Sequence, residues 1–225
     1  MTKPNITIEK LIEEAKNFCI SESAFQNTAL FGVTDGKAVG TFIEQKFKDF
    51  LSQRYEIQLG NAANGIDLPS ADINTDIKVT SIKQPQSSCP FKDAKQKIYG
   101  LGYNLLVFIY DKQDEPNQKI ATLNFVSCSF VHAAQTADYQ TTFALRQMLS
   151  NNANEEEIIA YLMDKNLPVD EIGLTQLAKT ILATPPEQGY LTISNAFQWR
   201  LMYSRVVNMT EIVEGITHII NNTTN

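Results

Sequence analysis

The chain has 225 residues, of which 43% are hydrophobic and 20% charged, with a formal net charge of -6. This is enough for one compact domain, or one core with a small appended subdomain, and the composition excludes a disordered or fibrous chain. No apolar run approaches the roughly 20 residues that a membrane helix requires, and the mixed-polar start MTKPNITIEKLIEEAK lacks the apolar stretch of a secretory signal, so a cytoplasmic protein without a membrane partner is expected.

Residues 7–18 carry apolar side chains at 8, 11, 12, 15 and 18, the spacing of an amphipathic helix. A second helix is expected over 37–54, where Val39, Phe42, Ile43, Phe47, Phe50 and Leu51 recur three and four apart. Residues 55–59 suit a short strand and 61–65 a turn. Residues 66–69 and 71–81 read as two adjoining extended segments. In the second, Ile73, Ile77 and Val79 alternate with Asp72, Asn74, Asp76, Lys78 and Thr80, giving one buried and one polar face. Pro85 and Pro90 bracket a polar loop, and 91–101 is a helix candidate stopped by Gly100 and Gly102. Residues 103–110 read as a continuous apolar strand, expected at the centre of the sheet by its uniform hydrophobicity; 111–118 reads as a turn, and 119–128 returns as a strand.

From about residue 136 the pattern becomes helical, over 139–149, 154–165 (with Asn154 as N-cap) and 169–182. A short strand is expected at 190–193, followed by a helical pair over 194–207 and 209–220. The fold class is therefore mixed α/β (α+β): a mixed central sheet flanked by helices, with a helical C-terminal region. The expected organisation is a core over 1–135 and a mainly helical region over 136–225, packed with it as one compact unit.

Three widely spaced cysteines, Cys19, Cys89 and Cys128, make no zinc pattern and read as buried or half-buried thiols. The two histidines, His132 and His218, lie in apolar stretches and read as structural, which removes nuclease sites built on several histidines. The sequence GVTDGKA at 32–38 is one residue short of a P-loop and lacks its Ser or Thr. Charge is unevenly spread: 77–103 holds five lysines (78, 83, 92, 95, 97) against Asp93, whereas 151–187 holds seven acids against two lysines. The basic stretch suits a DNA backbone and the acidic one does not.

The chemistry concentrates in Gly65–Ser81, GIDLPSADINTDIKVTS. Asp76 and Lys78 are two apart, so on a strand they point the same way. Asp67, on the neighbouring extended segment, is within reach of Asp76 if the two segments pair. Two such carboxylates repel unless a cation lies between them. Magnesium takes oxygen ligands and keeps waters, and the Ile77 carbonyl is placed to add a ligand. Lys78 beside it is placed to orient an attacking water or stabilise transition-state charge. The bland alternative makes Asp76 and Lys78 polar residues of an exposed strand and Asp67 a turn residue before Pro69. Asp72 competes for the role of first acid, but lies far along the same strand from Asp76.

The constellation Asp67 … Asp76-Ile77-Lys78, with a helix before it and a helix and buried strand after it, resembles the PD-(D/E)xK nuclease superfamily, particularly type II restriction endonucleases, over about residues 37–127. The resemblance implies a restriction-endonuclease-like core, Mg²⁺ bound by Asp67 and Asp76, assistance to the attacking water by Lys78, and cleavage of specific double-stranded DNA to 5′-phosphates by a homodimer. Ile66 rather than proline precedes Asp67, and the second acid is Asp rather than the commoner Glu; either carboxylate ligates a metal. Glu44, a catalytic candidate on the preceding helix, matches a position where many restriction enzymes place a Glu that ligates a metal directly or through water. An i,i+4 pair with Lys48 is the alternative.

Gln84, Gln86, Ser87 and Ser88 form a polar loop suited to base or phosphate contacts. Lys92 and Lys95 suit phosphates, and Gln96 shares a helix face with Tyr99, where some relatives use such a pair to support the site or the DNA strand. Asn195, Gln198, Arg200 and Arg205 are side chains that read base edges, although Phe197, Leu201 and the neighbouring aromatics equally suit a core or a dimer interface. Two other functions compete with restriction: a repair or recombination nuclease on the same core, and a non-catalytic DNA-binding protein. Cutting both strands of a palindrome ordinarily needs two subunits, so a homodimer is expected.

Overall fold

The computed structural model describes residues 3–60, 65–88, 93–165, 167–194 and 200–222. In chain order the elements are α1 (Ile8–Ser23), α2 (Gly36–Ser52), β1 (Thr75–Ser81), β2 (Gln86–Ser88), α3 (Gln96–Tyr99), β3 (Asn104–Glu115), β4 (Ile120–Val131), α4 (Tyr139–Ser150), α5 (Glu155–Met163), α6 (Glu171–Ala183), β5 (Thr192–Ile193), β6 (Arg200–Met202), α7 (Ser204–Asn208) and β7 (Ile216–Asn221). They fall into two compact units. The first combines Met1–Pro85, Tyr103–Val131 and Val207–Asn225; the second combines Gln86–Gly102 and His132–Val206. Among the described residues no helix is long and apolar enough to cross a membrane.

The first unit is a four-stranded mixed sheet in the order β1-β3-β4-β7. β1 runs parallel to β3, β3 and β4 form a long antiparallel hairpin, and β7 adds antiparallel to β4. Helices α1 and α2 cover one face. Leu11, Ala15 and Phe18 of α1 and Val39, Ile43, Phe47 and Leu51 of α2 bury against Ile77, Leu106, Phe108, Leu123 and Phe125. An edge-to-face chain links Phe18 to Phe47 and Phe47 to Phe108, each with ring centroids 5.0 Å apart; such pairs add roughly 1 kcal/mol beyond the area they bury. Leu105, Val107 and Ile109, on the opposite face of β3, are buried too. That two-sided burial is why the strand reads as an unbroken apolar run.

The second unit has a three-stranded antiparallel sheet, β2-β6-β5, and a helical core of Ile98, Leu145, Ile158, Leu162, Leu177 and Ile181. Asn154 caps α5 in a reciprocal box with Glu157, as the sequence at that helix start requires.

Several elements differ from expectation. Residues 55–59 form no strand, only a single bridge between Asn5 and Glu56. The polar 84–90 segment contains β2, and of the helix sought over 91–101 the described residues form the four-residue α3. The ladder of β3 runs on through Asp111–Glu115, polar and increasingly exposed, so the turn narrows to 116–119, where Lys119 adopts positive φ. The largest correction is at the C-terminus. Of the helical pair expected over 194–207 and 209–220, residues 195–199 lie outside the described residues, and the rest contains β6, the short α7 and β7. Val213, Ile216, Ile219 and Ile220 are spaced as on a helix. However, Gly215 takes φ 83°, a left-handed value that interrupts any helix, and the β-branched run after it suits a strand. His218 thus sits on β7, with Nδ1 3.1 Å from Ser129 Oγ, and His132 caps a 3₁₀ turn by accepting from Ala134 N; both are structural. Cys19 and Cys128 are free and buried, and Cys89 lies outside the described residues.

Candidate active site

The register of β1 sets the geometry. Asp76, Lys78 and Thr80 stand opposite Leu105, Val107 and Ile109 of β3, on the sheet face away from α1 and α2, while Ile77 points into the helix-covered core. β1 is also an edge strand. Along its free edge the chain doubles back: Leu68 and Thr75 exchange both backbone hydrogen bonds at 2.9 Å, and 69–74 close the intervening loop with Asn74 at φ 28°. This single antiparallel bridge, rather than a full hairpin, brings Asp67 beside β1.

Asp67 then uses both oxygens. The Ile77 N–H donates to Oδ2 at 2.9 Å, and Lys48 Nζ donates to Oδ1 at 2.5 Å. The N–H and C=O of one strand residue leave on the same side, so the Ile77 carbonyl shares the edge that Asp67 occupies. The Asp67 and Asp76 carboxyls are close enough that each shifts the titration of the other. Lys78 Nζ lies 2.6 Å from Asp76 Oδ2, yet that buried oxygen receives no hydrogen bond of proper geometry; the pair is an ionic contact.

Lys48 also donates to Glu44 Oε1 at 2.6 Å, so it joins Glu44 of its own helix to Asp67. Gly40, Glu44 and Lys48 recur every four residues and share one stripe of α2. At Gly40 the helix lies so close to β1 that a Cβ would come 3.0 Å from the Val79 carbonyl oxygen. This close approach seats Glu44 and Lys48 at the strand edge.

The electrostatics follow from burial. Removal from water pushes the Asp76 carboxyl up to about 7; the Lys78 ammonium opposes the rise and the Asp67 carboxylate reinforces it. Burial also pushes Asp67 up, but hydrogen bonds from Asp76, Lys48 and the Ile77 N–H outweigh it, and Asp67 ends below its ordinary value. Glu44 is raised, first by burial, against the pull of Lys48. Lys48 is raised: its bonds to Asp67 and Glu44 overcome its own desolvation. At neutral pH the cluster thus holds an ionised Asp67 and an Asp76 poised to ionise.

Among the described residues no three acidic, histidine or cysteine side chains converge as a ready-made cage for a cation. A hard cation that keeps most of its waters needs less. Asp67 and Asp76, the neighbouring Ile77 carbonyl and the hydrogen-bond-free Asp76 Oδ2 fit such an ion. Asp72 takes no part; it is exposed in the turn before β1, along a cleft with Asn5, Glu56 and Ser70.

The structure separates the other candidates. Gln84 is exposed in the turn after β1, in the first unit. In the second unit, Gln86, Ser87 and Ser88 pair with Met202, Leu201 and Arg200, so Ser88 and Arg200 are neighbours. Ser87 is engaged by Tyr203, with their hydroxyls 2.5 Å apart. Lys95 is exposed, and Gln96 donates to the Leu101 carbonyl at 3.2 Å. Tyr99 does not share its role, since its hydroxyl is bonded to Thr184 O. The Arg205 guanidinium lies 3.6 Å over the Tyr139 ring. Lys97, counted in the basic stretch, is buried, and desolvation lowers its pKa, so among the described residues the fully exposed lysines of that stretch are Lys83 and Lys95. Lys92, Asn195 and Gln198 lie outside the described residues.

Sequence reasoning missed Lys48 as a partner of Asp67 and Gly40 as the close-approach point. The Glu44–Lys48 spacing was visible, but nothing in the chain signals that the same ammonium reaches a carboxylate 19 residues on.

Comparison with known proteins agrees in kind. The family model described as type II restriction enzyme NspV matches residues 5–218. The type II restriction enzyme NspV of Nostoc sp. (strain ATCC 29411 / PCC 7524) is 52% identical over 217 residues, which span 96% of this chain and 98% of that protein. No solved structure gives a significant match. Matched along nearly its whole length, the chain belongs to the NspV family of type II restriction enzymes.

Proposed function

We propose that this chain is a cytoplasmic, Mg²⁺-dependent restriction endonuclease of PD-(D/E)xK type, hydrolysing phosphodiester bonds at specific sites in double-stranded DNA. The carrying observation is the Asp67 carboxylate on the Ile77 N–H, one residue from Asp76 and on the strand that bears Lys78. Asp67, Asp76 and the Ile77 carbonyl are the groups to hold magnesium. When bound, the ion supplies Lewis-acid stabilisation of the phosphoryl oxygens and makes a coordinated water more acidic. The chain supplies the rest. Lys78 orients the attacking water and places its ammonium against charge growing on the phosphoryl group. Water oxygen attacks phosphorus, the bond to the 3′-oxygen breaks, and a 5′-phosphate and a 3′-hydroxyl remain. Glu44, held by Lys48, positions Lys48 against Asp67.

Exposed Gln84 and Lys95, together with Gln86, Ser88, Gln96, Arg200 and Arg205, are the residues assigned to the duplex. Phosphate contacts fix register and the Gln and Arg side chains read base edges. Two copies are required to cut both strands in one encounter, so the working form is a homodimer.

The test is digestion of unmethylated phage DNA with magnesium or with EDTA, beside the Asp76→Ala variant. Discrete fragments that need both magnesium and Asp76 are expected. Failure of folded protein to cut, or cutting that survives Asp76→Ala, overturns the reading.

A further inference from the structure

Lys48 is nearly buried and sits between two carboxylates, 2.6 Å from Glu44 Oε1 and 2.5 Å from Asp67 Oδ1, with its side chain 10% exposed. A buried ammonium in such a place is costly unless carboxylate partners lie close on it, and here two do. The position is not accidental, because Gly40 draws α2 against the Val79 carbonyl and so fixes Lys48 at the β1 edge. Two-metal nucleases hold a second ion about 4 Å from the first, and a carboxylate pair such as Glu44 and Asp67 is the kind of group that would hold it.

We propose that the Lys48 ammonium is a built-in replacement for that second ion, so that the centre binds one divalent metal and Glu44 is a partner of Lys48 rather than a metal ligand. This rests on the proposed metal site at Asp67 and Asp76. Two counts favour it. Each carboxylate oxygen accepts at about two positions. Asp67 commits one on Oδ1 to Lys48 and one on Oδ2 to Ile77, which leaves one position on each oxygen; the free one on Oδ1 lies beside the Lys48 ammonium, which repels a second cation there. In charge, Glu44, Asp67 and Asp76 set against Lys48 and Lys78 leave one net negative charge when all are ionised. One divalent ion reverses that charge, and a second would add to an already positive centre. Without the Lys48 charge the cluster carries two negative charges, and the gap between Glu44 and Asp67 becomes a vacant carboxylate pair of the kind that attracts a cation.

The test reads metal binding rather than cleavage. DNA-free protein is titrated with Mn²⁺, following free ion by its electron paramagnetic resonance signal. The expected stoichiometry is one ion per chain for the wild type and for Lys48→Arg, and two for Lys48→Met. The second ion in Lys48→Met should broaden the bound spectrum by coupling between neighbouring ions. Lys48→Gln, which removes the charge but keeps hydrogen-bond donors for the buried acids, gives a second route to the same count if Lys48→Met folds poorly, and it too should bind two. Two ions on the wild type, or one on both neutral variants when folded, overturns the proposal. Asp76→Ala run alongside separates the two layers. If it leaves the wild-type ion in place, the metal site itself is misassigned; if it removes the ion while Lys48→Gln still binds one, only the role of Lys48 fails.

Discussion

Replacing Asp76 by Asn should destroy activity and stabilise the metal-free protein. Asp76 is 3% exposed, and burial lifts its carboxyl from 3.8 to about 7. Each unit is worth about 1.4 kcal/mol, so holding the ionised form in the fold costs up to about 4 kcal/mol above pH 7. Asn is the neutral isostere of the protonated acid and keeps a donor for Asp67. The sign is fixed by linkage. A raised acid leaves the folded state fully favoured below the unfolded pKa, near pH 4, and that advantage is lost as pH rises through the folded value near 7. The two proteins should therefore melt together near pH 4 and diverge up to about pH 8, with Asp76→Asn the more stable. Even a quarter of the ceiling raises Tm by about 2–4 °C for a chain of this size. The assay is thermal denaturation in EDTA from pH 4 to 8. Adding magnesium should narrow or invert the gap, because the ion stabilises only the protein that binds it; at a hundredfold excess over Kd the gain is about 2.7 kcal/mol. An Asp76→Asn protein that melts at or below wild type at pH 8, or a gap that does not shrink toward pH 4, refutes the electrostatic account.

Lys78→Ala should lower cleavage at least about a hundredfold while duplex binding measured in calcium persists; cutting at the wild-type rate would remove Lys78 from the centre. Gly40→Ala gains up to about 1 kcal/mol of helix propensity but sets a Cβ 3.0 Å from the Val79 carbonyl oxygen, and overpacking against backbone costs about 1–3 kcal/mol. Denaturant unfolding should show net destabilisation, with cleavage reduced as Glu44 and Lys48 move off β1; a more stable and fully active variant would refute the close approach. One glycine inserted between Ala71 and Asp72, both exposed, should be tolerated. The same residue between Thr75 and Asp76 should abolish cleavage, since a one-residue slip turns Asp76 and Lys78 to the opposite face. Equal activity of the two insertions would refute the register.

What was legible in the chain followed short-range periodicity. Helices α1 and α2 and the β3–β4 hairpin appear in the spacing of their apolar residues, and Asp76 and Lys78 declare a shared face by being two apart. What was not legible depended on partners distant in sequence. Gln86–Ser88 looks like a loop because its strand character comes from pairing with Arg200–Met202. Residues 216–221 mimic a helical spacing, and only the ladder with Ser127–Val131 makes them a strand. Lys97 counted as surface charge because charge alone does not reveal burial. The Lys48–Asp67 contact is of the same kind: local spacing pairs Lys48 with Glu44, and tertiary packing adds the second acid.

The edge position of β1 ties these points together. A free strand edge exposes unpaired N–H and C=O groups and invites unwanted pairing. Here the edge is closed by the Leu68–Thr75 bridge and by the Asp67 carboxylate on the Ile77 N–H. The carboxylate that caps the edge is thereby fixed beside Asp76, and the Ile77 carbonyl on that edge is left facing the same space. A paired strand in place of Asp67 would satisfy the backbone equally well, but would consume that carbonyl and supply no charge. An acid at this position closes the edge and creates the candidate metal site in one contact. The nine-residue spacing from Asp67 to Asp76 therefore serves as a minimum: enough chain to turn through 69–74, form one bridge and return Asp76 beside the Asp67 carboxylate.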